Sequence, residues 1–379
     1  MRYDLADYAT MVNDPVRGPA YLRAVRETVR PGDIVADIGA GPGVLGVYAA
    51  MLGARRVFLI EPDASVAAAR ALAEENGVSD RVEIIMAPSR EVTLPELADV
   101  IVSDMRGVLP LFGTHLLSIA DARERLLAFA GRFVPRRDTL HVALVEDSAM
   151  HDRTVGAWRA LDDTMKVASL SALLANDWMR MHARPEQLLT ASAQWSEIHY
   201  PEVGGPNRDG RFSLEVARAG TAHGLLCWFD AELSESSRFS NAPHAPRALY
   251  GQAFFPFAQP LALRAGDVAT GSLRAVHTGS EYEWAWAARI VRDGQEVAAA
   301  SQSTLAAKPQ LSQQLARRAP AFVPRLSADG DVTRFLMENT DGLRDVAELS
   351  RLLRDAFPSR FTSVDDAQRF VVQHDGYFR

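Results

Sequence analysis

The segment Asp37-Ile38-Gly39-Ala40-Gly41-Pro42-Gly43 constrains this chain more than any other. It closes a short apolar run, Ile34-Val35-Ala36-Asp37-Ile38, and opens a helical stretch that continues through Met51. Glycines at alternate positions let the backbone turn tightly, and they let a ligand approach the main-chain amides with no Cβ in the way. A helix that starts just beyond aims its N-terminal N–H groups at the same place. Strand, glycine turn and helix in that order fit the first unit of a doubly wound α/β sheet, which binds ligands in the crevice at the carboxyl ends of its strands.

The residues that follow extend the pattern. Arg56 to Ile60 reads as a second strand, Ala64 to Asn76 as a helix, Val82 to Met86 as a third strand and Asp99 to Ser103 as a fourth. Strands alternating with helices predict a parallel, Rossmann-like sheet. Glu61 ends the second strand, eighteen residues after Gly43, where a carboxylate can accept hydrogen bonds from both hydroxyls of a ribose. The dinucleotide fingerprint places a third glycine where this chain has Val44. A carboxylate at Asp37 would repel phosphates but tolerate an ammonium and a sulfonium. The loop therefore favours S-adenosylmethionine over a nicotinamide cofactor. A purely structural turn is the alternative for the loop alone, and the paired Glu61 argues against it. Asp37, Gly39, Gly41, Gly43, Glu61 and the adjacent Pro62 are expected at the cofactor.

Upstream, residues 1–30 look helical. Tyr3, Tyr8 and Met11 can share a face, where they either line a lid over the cofactor or pin the helix. Arg17 either clamps the free carboxylate of the cofactor in a fork or is a solvated surface arginine.

At 379 residues the chain is too long for one ordinary core, so two or three domains are expected. After about residue 138 the texture changes. Leu140 to Val145, Phe212 to Val216, Gly224 to Phe229, Gly251 to Phe257 and Tyr282 to Ile290 are short segments cut by turn signals, the pattern of an antiparallel barrel or sandwich. Residues 151–185 are mixed and partly helical. Residues 306–330, with Pro309, Pro320, Pro324 and Gly330, read as a linker. Residues 331–379 show helical periodicity, with Asp345 and Ser363 where helix N-caps belong. The expected division is 1–138, 139–305, 306–330 and 331–379.

Composition excludes several classes. Hydrophobic residues make up 47% and charged residues 23%, a globular balance. A net charge of -7 and the lack of a long basic run disfavour a phosphate-tracking nucleic-acid surface. The single Cys227 permits neither a disulfide within the chain nor a cysteine-based zinc site, and reads as a small buried apolar residue. The N-terminus lacks the apolar core of a signal peptide, and no run is long enough to span a bilayer. A cytoplasmic address is expected, with no membrane partner.

Methyl transfer from a sulfonium is an in-line displacement, and the enzyme mainly aligns the reacting groups. No metal is required. Asp104 ends the fourth strand at the crevice, where it either orients or deprotonates an acceptor N–H or O–H or pairs with a local arginine such as Arg106. His115, on the following loop–helix segment, is the best histidine base, against a structural role. Glu146, after the strand Leu140–Val145, is either a second acid or a solvated strand-end residue.

Taken together, these residues resemble the protein arginine methyltransferases over roughly residues 3–305. The likeness is carried by Tyr3, Tyr8, Met11, Arg17, the glycine loop, Gly53-Ala54-Arg55-Arg56-Val57, Glu61 and Ser103-Asp104-Met105-Arg106-Gly107. It continues through Pro185-Glu186-Gln187-Leu188-Leu189 and Phe239-Ser240-Asn241-Ala242-Pro243. The resemblance implies a Rossmann-like domain followed by a β-barrel, a helical dimerisation arm near 151–185 and a homodimer. It puts Ser89 and Arg90 in the segment that contacts adenine, with Arg90 where the family has a glutamate and Glu91 beside it. Of the two glutamates with which the family pairs a guanidinium, the first matches Asp104 and the second matches Gly113. The family's Thr-His-Trp loop matches Ala248-Leu249-Tyr250. An unpaired buried guanidinium costs several kcal/mol, so either other acids fill the role or the acceptor is not arginine; the expected acceptor is a peptide or amino-acid-like molecule, methylated on nitrogen or on a carboxylate oxygen, at a site diverged from that of the arginine methyltransferases.

Residues 320–379 resemble the PqqD-like peptide-chaperone domains. The likeness rests on Pro324-Arg325, Phe335-Leu336-Met337-Glu338, Asp341-Gly342 and Val346-Ala347-Glu348-Leu349 with Leu352. It implies a small winged, three-helix module whose edge strand accepts a leader peptide; a helical cap on the catalytic body is the alternative. A different reading of the whole chain is a catalytically reduced methyltransferase scaffold that carries peptides or assembles with partners. Gly113 and Leu249 favour it, and the intact loop and Glu61 oppose it.

Overall fold

The computed structural model describes residues 4–309, 316–317, 319–374 and 378. Tyr3 lies outside them. The chain forms two compact units, Met1–Pro309 and Gln310–Arg379.

The first unit opens with helices α1 (Leu5–Val12) and α2 (Arg17–Thr28). Asp4 caps α1 by accepting from the Asp7 amide at 2.8 Å, and Asp7 returns the bond, a reciprocal capping box. Asp14 accepts from the amides of Val16 at 2.9 Å and Arg17 at 2.8 Å, serving the orphan donors at the start of α2. Strands β1 (Ile34–Ile38), β2 (Arg56–Ile60), β3 (Val82–Ile85), β4 (Ala98–Ser103) and β5 (Leu127–Val134) make one sheet in the order β3-β2-β1-β4-β5, and every pair in it is parallel. β1 and the Val57–Ile60 stretch are buried on both faces, which is why they read as continuous apolar runs rather than alternating ones. Helices α3 (Val44–Met51), α4 (Ala68–Glu75) and α5 (His115–Arg125) link the strands. The predicted helix from Ala64 opens as a 3-10 turn, Ala64–Ala67, before α4. The strand order reverses at β1, where β2 lies on one side and β4 on the other, so a crevice opens at the carboxyl ends of β1 and β4.

Beyond β5 the sheets are antiparallel. β6 (Arg137–Val145), β7 (Met179–Met181), β8 (Ala193–His199), β10 (Gly220–Glu232) and β12 (Gln252–Leu263) pair in the order β7-β12-β10-β6-β8, with β11 (Arg238–Ser240) on β10. β9 (Arg208–Glu215), β13 (Val268–His277), β14 (Tyr282–Arg292) and β15 (Gln295–Ser303) pair in the order β15-β14-β13-β9. Short helices α6 (Ser148–Thr154) and α7 (Ala168–Leu174) lie in the segment expected to be partly helical.

β10 shows why this region holds together. Leu225, Cys227 and Phe229 point into a large core, while Leu226 and Trp228 point into a smaller one on the opposite face. The period of two sends alternate residues to each side, and both sides are apolar. The large core runs unbroken from Ala20 and Val35 in the parallel layer to Trp286 and Ile290 in β14.

In the second unit, α8 (Ala328–Asn339), α9 (Val346–Ala356) and α10 (Val364–Gln373) surround a core of Val332, Leu336, Leu349, Leu353, Phe361, Ala367 and Val371. The four-residue spacings put one face of each helix inward. Asp345 and Ser363 are N-caps, as expected, and accept from the amides of Glu348 at 2.8 Å and Asp366 at 3.1 Å. α8 starts three residues before the boundary expected at 331, and Ser327 caps it. Among the described residues this unit contains no strand. No helix among the described residues is long and apolar enough to cross a membrane.

Candidate active site

A cavity of about 1090 Å³ occupies the crevice. The glycine loop forms one wall. Gly39, Gly41 and Gly43 have φ of 72°, 52° and 80°, in the left-handed region that a side chain rarely adopts. A Cβ on Gly41 would stand 2.5 Å from the Tyr8 ring, and one on Gly43 would stand 2.6 Å from Ala69 Cβ. The small residues thus let α1 close over the loop and α4 pack beneath it. Gly39 lines the cavity with Ala40 and Pro42, while Gly41 and Gly43 serve the turn and the packing.

Two acids hold this loop. Asp37, 2% exposed, accepts from the Gly46 amide at 2.9 Å. Gly43 is the N-cap residue of α3 and has no side chain to cap with, so Asp37 supplies the missing acceptor from the neighbouring strand. Burial pushes the Asp37 carboxyl up to about 7, and the negative charges of Glu61 and Asp104 add to the effect. Glu61, 8% exposed, accepts from Gly41 N at 3.1 Å and from Asp63 N at 2.9 Å. Each of its oxygens spends one lone pair on the main chain and keeps another for a ligand. Pro62, Ser89, Arg90 and Glu91 continue the wall.

The floor is a charged network. The Arg17 guanidinium pairs with Asp104 through Nε, donates to Tyr250 Oη at 3.1 Å and donates through Nη1 to the Met11 carbonyl at 2.7 Å. Tyr250 Oη lies 3.2 Å from Asp104 Oδ1, and Arg106 Nη1 lies 3.3 Å from the same oxygen. Burial opposes the Asp104 charge, but the guanidiniums of Arg17 and Arg106 outweigh it and hold the carboxyl below its ordinary value. Burial, with Asp104 adding, raises the Tyr250 hydroxyl above its ordinary value, so it stays protonated. Arg106 is anchored from the other side by Asp138, through Nε at 2.9 Å and Nη2 at 2.7 Å, a bidentate geometry. Tyr200 Oη donates to Asp138 at 2.5 Å. Both charged side chains are fully buried. Asp14 reaches across to accept from the Leu249 amide at 2.6 Å, which fixes the loop carrying Tyr250.

Residues 136–282 match the arginine methyltransferase oligomerization subdomain, and residues 20–120 match the ribosomal protein L11 methyltransferase (PrmA) family. The sequence is 27% identical over 294 residues to the probable histone-arginine methyltransferase 1.3 of Arabidopsis thaliana, covering 72% of this chain and 54% of that protein. It is 26% identical over 273 residues to protein arginine N-methyltransferase 1 of Saccharomyces cerevisiae, covering 69% and 78%. The chain thus spans about half the length of the plant relative. Among solved structures, the Trypanosoma brucei PRMT1 enzyme-prozyme heterotetrameric complex with AdoHcy superimposes with a TM-score of 0.72 at 21% identity, over 78% of this chain and 97% of that one. Protein arginine methyltransferase 10 of Arabidopsis thaliana gives 0.70 at 21% identity, over 79% and 98%. Over these spans the chain is similar to the arginine methyltransferases.

In this arginine methyltransferase-like chain, Tyr8, Met11, Arg17, Asp37, Gly39, Glu61, Pro62, Ser89, Arg90, Asp104 and His115 all line the one cavity. Glu146, expected as a second acid, does not. Its carboxylate accepts from Arg218 at 2.6 Å and from the Thr221 amide at 2.7 Å, and these bonds hold it below its ordinary value. Gly113 lines the cavity with φ 46° and has open space where a Cβ would stand. Ser280 and Glu281, from the turn between β13 and β14, also line the cavity.

Tyr21, Asp138, Tyr200 and the Tyr250 hydroxyl were not anticipated from sequence. Asp138 falls outside the strand read from Leu140 to Val145, and its partner Arg106 is 32 residues away.

Proposed function

We propose that this chain transfers a methyl group from S-adenosylmethionine to a peptide or amino-acid-like acceptor. The observation that carries the reading is Glu61, held against the glycine loop at the reversal point of a parallel sheet with one lone pair free on each oxygen. The cofactor supplies an electrophilic methyl when bound. Glu61 receives the ribose hydroxyls, and Gly39, Ala40 and Pro42 of the loop with Val44 and Leu45 of α3 bound the same pocket. Ser89 and Arg90 flank the adenine. Arg17 meets the cofactor carboxylate, and Tyr8 and Met11 cover it from α1. Asp104, fixed by Arg17, Arg106 and Tyr250, orients the acceptor. The relatives at 26–28% identity are named as arginine methyltransferases, and the fold matches solved members.

The acceptor pocket differs from one built around a guanidinium. Asp104 faces two arginines and Gly113 adds no second acid beside it, so an incoming guanidinium does not meet the paired carboxylates at those two positions. We read the acceptor site as diverged from arginine methylation. The two antiparallel sheets form the barrel of the fold. The match to an oligomerization subdomain, with exposed Trp158, Leu161, Met165 and Leu170 between β6 and β7, supports a homodimer built through that arm. The PqqD-like unit recruits the peptide, and we place the reaction in the cytoplasm. The full engagement of Asp104 favours, as a second reading, a scaffold without turnover.

Calorimetry tests the core of this proposal. S-adenosylmethionine binds, and Glu61→Ala weakens binding by roughly 1–3 kcal/mol, the scale of lost charged hydrogen bonds. Unchanged affinity removes Glu61 from the ribose. Release of S-adenosylhomocysteine by the full chain excludes the scaffold reading.

A further inference from the structure

We propose that Arg180, His182 and Arg247 form a docking surface for an acidic peptide segment, a role beyond the methyl transfer proposed above. Arg180 is the middle residue of β7, the outermost strand of its sheet. Met179 and Met181 on either side of it pack on the smaller core, so the period of two sends Arg180, and His182 just past the strand, to the other side. Arg247 belongs to the loop between β11 and β12. Two observations bring the three groups together. A Cβ on Gly251, at the end of that loop, would stand 2.9 Å from Arg180 Cγ and 3.3 Å from its Cδ, so the Arg180 stem lies across the loop. Burial lowers the His182 imidazole below its ordinary value, and the positive charges of Arg247 and Arg180 add to the effect.

Nothing in the first unit balances this charge. Among the described residues, neither the two guanidiniums nor the imidazole has a carboxylate partner, although Arg184 close by is paired with Glu186 and Arg218 with Glu146. In a chain of net charge -7, like charges gathered without a partner make a local positive potential that an outside anion relieves. Arg180 and Arg247 are exposed, so a ligand reaches both. Two guanidinium forks match carboxylates in the bidentate geometry. Three basic groups are too few to track a phosphate backbone, and the negative balance of the chain repels one. Acidic side chains spaced along a peptide meet the forks singly. The place also matters. Arg247 stands three residues before Tyr250, whose hydroxyl lies 3.2 Å from Asp104 Oδ1. The loop thus runs from an exposed arginine to a buried tyrosine, and a peptide docked on the cluster abuts the loop that positions Tyr250.

The test is calorimetry on the full chain with blocked hexapeptides of glutamate, glutamine and lysine and with hexauridylate. The expected result is that hexaglutamate binds and the other three do not. An exposed ion pair is worth up to about fivefold in affinity, so Arg180→Gln with Arg247→Gln should weaken hexaglutamate by roughly fivefold to twenty-fivefold. Arg247→Glu, on the exposed loop, gives the same direction of change if the double variant does not fold. No binding of hexaglutamate, or a loss in the double variant of less than about twofold, overturns the inference. Hexauridylate binding as tightly as hexaglutamate also overturns it and assigns the cluster to nucleic acid. A double variant that changes the sedimentation of the chain but not its affinity for hexaglutamate overturns it too, and assigns the cluster to a contact between copies. S-adenosylhomocysteine titrated into the same samples keeps the two proposals apart. Its failure to bind the native chain defeats the methyltransferase reading, whereas its binding to a chain that ignores hexaglutamate defeats only the docking surface.

Discussion

Asp138→Ala should strand the Arg106 guanidinium in the core. In the native protein Asp138 takes two bonds from Arg106, at 2.9 and 2.7 Å, and one from Tyr200, at 2.5 Å. Neither charged side chain has exposed surface. After truncation the hydrogen bonds left to Arg106 are those to Tyr21 and, at 3.3 Å, to Asp104, which already serves Arg17. Removing one partner of such a pair costs about 3–5 kcal/mol, because the remaining charge is desolvated and uncompensated. At about 1.36 kcal/mol per decade, the folding equilibrium falls by roughly two to nearly four orders of magnitude. Tyr200→Phe removes only one bond to a charged group and should cost about 1.5–3 kcal/mol. Urea unfolding followed by tryptophan fluorescence measures both losses. All six tryptophans lie within Met1–Pro309, so the signal reports on the unit that contains the pair. A double variant, Arg106→Met with Asp138→Leu, removes both charges together and should recover most of the loss. If Asp138→Ala costs less than about 1 kcal/mol, or no more than Tyr200→Phe, the reasoning fails.

Asp37→Asn gives a pH signature. Asp37 has its carboxyl raised from 3.8 to about 7 in the folded chain, so it favours folding in its protonated form. That contribution is fully present below about 4 and is lost as pH rises through about 7. The melting temperature of Asp37→Asn should therefore gain on the native protein between those limits and keep a constant lead above them; a lead that shrinks with rising pH would refute the assignment. Deleting residues 310–379 should leave S-adenosylmethionine affinity unchanged by calorimetry and weaken the binding of a peptide acceptor. Insoluble protein from that deletion would point instead to a helical cap.

Some of this protein was legible one segment at a time. The loop Gly39–Gly43, the strand before it and the acid Glu61 are close in sequence, and their spacing carries their geometry. The same holds for the N-caps Asp345 and Ser363, whose bonds reach three residues ahead. Arg17, Asp104 and His115 were each read with a structural alternative, and all three line one cavity. Strands β5, β8, β13 and β15 were harder to read. β15 carries only alanines and one valine among polar residues, and its stability comes from its register with β14 rather than from its own pattern.

The network around Asp104 was decided by tertiary structure alone. Arg17 and Tyr250 are separated by 233 residues, and Arg106 and Asp138 by 32. Only the packing of the antiparallel sheets on the parallel one brings these charges together and removes them from water. Asp37 shows the boundary between the two kinds of information. Its residue type and position are written in the chain, but its capping of α3 and its raised carboxyl exist only once the core has closed around it. Local spacing fixes what a short stretch of backbone can do. The charge state of a group depends on which distant neighbours replace its water, and those neighbours are chosen by the fold.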